Sequence, residues 1–116
     1  MTNILKYEVV VIKFPFASSL KYKARPAVVV SSNEFNHNKR DTILVMAISN
    51  SISNKLNFEE KILNWQDAGL LKESIFKGAI ATIEKSSILA KVGILTDVDC
   101  VNLENMLIHM LKIQEI

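Results

Sequence analysis

The chain contains a single cysteine, Cys100. It cannot form an internal disulfide, so the expected environment is a reducing cytoplasm. Its only histidines, His37 and His109, lie far apart in unrelated contexts. The sequence therefore offers no metal-ligand cluster, and no cofactor is expected. No apolar run approaches the length that spans a bilayer. The N-terminus lacks the charged, apolar and small-residue regions of a signal peptide. Repeats, low-complexity segments and linkers are absent, and no Ser-His-Asp or Cys-His constellation can be assembled from spacing. What is there reads as one globular domain over residues 1–116, 49% hydrophobic and 22% charged, long enough for one modest core.

The net charge of +2 hides an asymmetry. Residues 1–40 hold seven Lys and Arg against Glu8 and Glu34, giving +5, whereas residues 41–116 hold seven Lys against ten acids, giving −3. A basic first third points to a nucleic-acid or other anionic partner there; ordinary solvated loop charges are the competing reading.

Residues 8–16 and 26–32 read as apolar strands, and 42–49 as a third. The intervening 33–41 segment is a polar loop, and Asn50–Asn54 a turn. Residues 56–62 read as an exposed strand, and 64–69 as a short turn closed by Gly69. Further short strands are expected at 74–76, 78–83 and 91–95, with a helical turn near Ser86. Thr96 looks like an N-cap with Asp99 three residues on, as in a capping box. Cys100, Leu103, Leu107, Met110 and Leu111 then make one face of a C-terminal helix. The fold class is mostly β (α+β): a small barrel-like sheet of short strands with one helix.

Arg25 is the leading functional residue. Pro26 pushes it towards an extended conformation at a loop-to-strand junction, which aims its charge. Its planar fork matches phosphate oxygens and never loses its proton; a strand-end salt bridge is the alternative. Ser49 ends an apolar strand with an exposed hydroxyl, or simply terminates it. Lys21, Lys23, Lys39 and Arg40 are loop cations able to steer a phosphate backbone, and His37 lies among them. Trp65 reads as a packed anchor rather than a stacking platform. Met106 and Met110 read as helix core, Cys100 as core and His109 as surface.

These motifs resemble the MazF/PemK family of toxin–antitoxin ribonucleases. Glu8-Val-Val-Val-Ile-Lys-Phe-Pro-Phe16 is similar to the family's opening strand. Lys23-Ala-Arg-Pro-Ala-Val-Val-Val-Ser31 is similar to its Arg-Pro-Ala motif. The run Ile43–Ser51, the run Ala68-Gly-Leu-Leu-Lys-Glu-Ser74, Thr82 and the run Lys91–Asp97 match in order. The family's Gly-Asp is Tyr7-Glu8 here, its proline before the catalytic threonine is missing, and Ala81 stands where some members carry an arginine. The resemblance implies a dimeric SH3-like barrel with a C-terminal helix. It implies metal-independent cleavage of single-stranded RNA to a 2′,3′-cyclic phosphate, and neutralisation by a cognate antitoxin. Arg25 matches the catalytic arginine and Ser49 the catalytic threonine or serine. Glu8 is a base only if the fold brings it to the cleft. Gyrase-binding toxins of the CcdB type resemble this fold but end in Trp-Gly-Ile, where this chain ends Gln114-Glu115-Ile116. A catalytically inactive RNA-binding or antitoxin-sequestering homologue is the other alternative.

Overall fold

The computed structural model describes residues 3–13 and 23–113. Six strands form one sheet: β1 (Glu8–Lys13), β2 (Ala24–Val29), β3 (Thr42–Ser49), β4 (Glu60–Lys61), β5 (Ile75–Glu84) and β6 (Ile88–Ile94). All pairings are antiparallel, in the order β4-β5-β3-β2-β1-β6. A single helix, α1 (Asp97–Leu111), follows. The ladder does not close. Yet β5 reaches β6, at the opposite edge, through only Lys85–Ser87. Such a link spans about 14 Å at full stretch, so the sheet must curl to bring its two sides together.

The central strands β1, β2 and β3 are apolar along most of their length because residues of both faces are buried there. Val9, Val28, Met46, Ile48 and Phe76 pack towards Leu103, Met106 and Leu107 of α1. Their neighbours Val10, Ile12, Ala27, Val29, Ile43, Val45 and Ile83 form a second buried cluster with Ile4. On α1, Met106 is buried as expected and Cys100 and Met110 are half-buried against the core, but Leu111 is 55% exposed.

Several boundaries differ from expectation for identifiable reasons. The two strands expected at 74–76 and 78–83 are one ten-residue strand, β5. Its register shifts between Met46 and Ile48, so that three residues of β5 oppose the single Ala47. Gly78 lies in that bulge, and its N–H is taken by the Glu59 carboxylate at 2.9 Å. The 56–62 strand shrinks to Glu60–Lys61, because Glu59 also accepts from the Leu56 N–H and folds 56–59 into a turn. β6 begins earlier than expected, at Ile88.

Thr96 does occupy the N-cap, but its side chain makes no capping bond. Asp99 does not take the Thr96 N–H as in a capping box, although it accepts from the Thr96 hydroxyl at 3.4 Å. Its fully buried carboxylate accepts from the backbone N–H groups of Leu63 and Asn64, both at 2.8 Å. Tyr7 adopts φ +74, a conformation glycine takes at less cost. It is held by Tyr7 N–H to Val29, by Leu95 N–H to Tyr7, and by its hydroxyl donating to Glu104 on α1. Burial and the neighbouring Glu104 carboxylate push the phenol pKa well up.

Candidate active-site cleft

The β1–β2 and β2–β3 ladders explain where the site opens. β2 pairs β3 only from Ala27/Ala47 to Val29/Val45. Continuing that register would set Arg25 opposite Ser49, but Pro26 has no N–H to extend the ladder. The two strand ends part, and a cleft of about 320 Å³ lies between them. One wall is Ala24, Arg25 and Pro26; another is Ile48, Ser49 and Asn50; a third is the segment Gly69–Lys72 with Ser74. Val11 and Val92 complete it.

The Arg25 side chain is exposed in the cleft and forms no ion pair or hydrogen bond among the described residues. The strand-end salt bridge that competed as its explanation is therefore not formed among the described residues. Ser49 is half-buried, and its Oγ accepts from the Ser51 N–H at 3.0 Å. That bond fixes the hydroxyl and leaves its proton free to donate to a ligand. Among the described residues no carboxylate lines the cleft. The arrangement is an apolar-floored, cationic hollow with hydroxyl donors, suited to a phosphate carrying an organic group.

The third wall is irregular chain, and long-range contacts hold it. Gly69 adopts φ +88 and its backbone packs on Val92, while Gly93 packs on Ala68. A Cβ at either position would run into the facing carbonyl oxygen. Two glycines thus let the 63–69 turn lie directly on β6. Beyond it, Ser74 Oγ donates to the Lys72 carbonyl at 2.9 Å, and Ile62 N–H donates to the Ser74 carbonyl. Glu59 ties the bulge that precedes Ser49 in the sheet. Its own burial would raise its pKa, but hydrogen bonds from Gly78, Leu56 and Lys77 outweigh this and hold it below the usual range.

The sequence-derived candidates are distributed unevenly. Arg25 and Ser49 share the cleft. Lys23 is exposed just before β2, outside the cleft lining. Lys21 lies outside the described residues, as do Phe14, Pro15 and Phe16. His37, Lys39 and Arg40 are exposed on the loop joining β2 to β3. That loop is at the far end of β3 from Ser49, about 23 Å along the strand. Glu8 is not at the cleft: it accepts from Leu5 N–H and pairs with Lys91 at 3.4 Å, a structural role. Residue choice from sequence missed Lys72, Ser74 and Leu71. Lys72 is an exposed cation unpaired among the described residues, and Leu71, at the cleft's edge, is 94% exposed. Their only signal was the family-like Leu-Leu-Lys-Glu-Ser run, which lies outside any periodic element.

A small antiparallel sheet with one C-terminal helix and a cationic cleft at a strand junction defines the class. The model of the PemK-like, MazF-like toxins of type II toxin–antitoxin systems matches residues 5–111, and the chain belongs to that family. Its fold is similar to that of an endoribonuclease in complex with its cognate antitoxin from a Mycobacterial species, at 16% identity, with 100% of each chain covered and a TM-score of 0.76. It is similar to the Mycobacterium tuberculosis toxin MazF-mt6, at 17% identity over 93% of this chain and 99% of that one, TM-score 0.71. It is also similar to MazF in the MazE–MazF structure (Form-II) from Deinococcus radiodurans, at 14% identity over 98% and 100%, TM-score 0.76. No curated protein matches the chain in sequence. No helix among the described residues is long and apolar enough to cross a membrane.

Proposed function

We propose that this chain is the toxin of a type II toxin–antitoxin pair and a metal-independent, sequence-selective endoribonuclease of single-stranded RNA. The observation that supports the reading is that Arg25, hydrogen-bonded Ser49 and Lys72 line one cleft, with both cations unpaired among the described residues. The RNA 2′-hydroxyl is the nucleophile: its oxygen bonds to the adjacent phosphorus, the P–O5′ bond breaks, and a 2′,3′-cyclic phosphate and a 5′-hydroxyl result. The protein supplies no nucleophile. Arg25 stabilises the charge that builds on the phosphorane oxygens, and the Ser49 hydroxyl donates to the same group. Arginine is a poor base, so Arg25 acts as an electrostatic clamp. Lys72 holds the RNA backbone beside it.

The working form in this reading is a cytoplasmic homodimer silenced by a cognate antitoxin, whose acidic, disordered segment folds on the basic surface. The test is incubation with end-labelled single-stranded RNA in EDTA, with both product ends mapped. Cyclic-phosphate ends and cleavage lost in Arg25→Ala are expected. Cleavage that needs added divalent metal, or products ending in 3′-hydroxyl, would refute it. RNA binding without cleavage would favour the catalytically inactive homologue.

A further inference from the structure

A second hollow, of about 160 Å³, lies beyond Ser74, which lines both it and the cleft. Between the two runs the segment Lys72-Glu73-Ser74. Along it Lys72 faces the cleft and Glu73 the second hollow. The hollow's apolar wall includes half-buried Trp65 and Leu63, which is 59% exposed. Lys61 and Glu73 also line it, and neither pairs with the other or with any other described residue.

The hollow is rigidly built. Buried Asp99 holds the Leu63 and Asn64 N–H groups, and Leu70 N–H donates to the Trp65 carbonyl at 3.0 Å. Ile62 N–H and the Ser74 hydroxyl fix the 72–74 segment. A hollow of about 160 Å³ admits one planar ring, and the rest of a larger base can stay in solvent at its open side.

We propose that this hollow is a base-reading subsite for a nucleotide flanking the one whose phosphate sits at Arg25. The proposal deepens the ribonuclease reading and rests on it. Trp65 supplies the apolar ring surface for the base, and Lys61 meets a neighbouring phosphate. Glu73 is an acceptor-only carboxylate and selects a base edge with adjacent N–H donors. Guanine fits best, because its N1–H and N2–H groups donate in parallel to both carboxylate oxygens. Uracil offers one such donor and fits worst.

Trp65 is the chain's only tryptophan, so its fluorescence reports this hollow directly. The probes are 2′-O-methyl hexamers, which cannot be cut because the nucleophile is blocked: all-uracil, and the same with one guanine. Quenching of Trp65 by the guanine hexamer is expected, with affinity about tenfold above all-uracil. Glu73→Gln should remove that preference, and Trp65→Leu should weaken guanine-hexamer binding, read by displacement of a labelled strand. Cleavage of ordinary RNA that depends on Arg25, with no Trp65 quenching by either hexamer, would overturn the subsite and leave the ribonuclease reading standing. Guanine-selective quenching in a protein that never cleaves RNA would support the subsite and sink the ribonuclease. A Trp65 emission that shifts on protein dilution alone would overturn the subsite, because a second copy of the chain then covers the hollow.

Discussion

Replacing Asp99 tests how the irregular half of the cleft is held. Its carboxylate is fully buried and accepts two backbone hydrogen bonds at 2.8 Å from the first two residues of the 63–69 turn. A hydrogen bond to a charged group contributes about 1.5–3 kcal/mol, and a donor left buried without a partner costs a comparable amount. Leu63 is more than half exposed, so water can reach part of what Asp99 leaves behind. The expected loss for Asp99→Ala is therefore nearer the bottom of the summed range, about 3 kcal/mol. That is a large share of a typical domain's stability of about 5–15 kcal/mol. At about 3–5 °C per kcal/mol for a chain of this size, the melting point should fall by about 10–15 °C. Asp99→Asn should recover no more than half, because an amide can accept from one N–H only by turning its own donors on the other. The assay is urea unfolding followed in parallel by circular dichroism and by Trp65 fluorescence, with linear extrapolation. The Trp65 signal should already be altered in the folded baseline of Asp99→Ala, since residue 65 adjoins the released segment. A loss under about 1 kcal/mol with an unchanged Trp65 baseline would refute the anchoring argument.

Glu59 has a lowered pKa in the folded chain, so its stabilising contribution is present above the unfolded value of about 4.3 and is lost as pH falls through the folded one. The stability gap between the wild type and Glu59→Gln, measured by urea midpoints, should thus be largest near neutrality and close in strong acid; a gap constant with pH would contradict this. Gly93→Ala should destabilise by about 1–3 kcal/mol through the forced contact with Ala68, and an unchanged thermal melt would show that the turn and β6 separate easily. For cleavage, Arg25→Ala should lose about 10²–10³ in rate and Arg25→Lys recover little, while Ser49→Ala should lose about tenfold to a hundredfold; single-turnover rates on a defined RNA decide it. Reversing Lys21 and Lys23 to Glu should weaken RNA affinity and flatten its salt dependence, and an unchanged slope would place both lysines off the RNA path.

Much of the regular structure could be read locally. The strand Thr42–Ser49 was legible to the residue because a β-branched apolar run is bounded by polar Asp41 and Asn50. The helix start was legible from Thr96 and the apolar spacing behind it. Arg25 and Ser49 were legible as candidates because each sits at a strand end. What failed was every feature decided by a distant partner. Gly78 looked like a break between two strands; it is a bulge because Glu59, 19 residues earlier in the chain, accepts its N–H. Asp99 looked like the mate of Thr96 alone; the Thr96 hydroxyl does reach it at 3.4 Å, but its shorter bonds come from Leu63 and Asn64, 36 and 35 residues away. Lys72 belongs to no periodic element, so nothing in its neighbourhood aimed it at the cleft.

These failures share a location. Glu59, Asp99 and the Gly69–Gly93 contact all hold parts of the chain between β3 and β5, the stretch with the least ladder hydrogen bonding. That stretch supplies Lys72, Ser74 and the second hollow. The cleft therefore has two halves of different origin. The Arg25–Ser49 half is positioned by strand register, with Pro26 ending the ladder where the cleft opens. The Lys72 half is positioned by buried carboxylates and close backbone packing. Substituting Asp99 acts on the second half alone. Under the ribonuclease reading, it should weaken substrate binding under folded conditions while leaving single-turnover chemistry at saturating RNA close to wild type. Equal loss in binding and in saturated rate would show that the two halves move together, and that register alone does not hold Arg25 against Ser49.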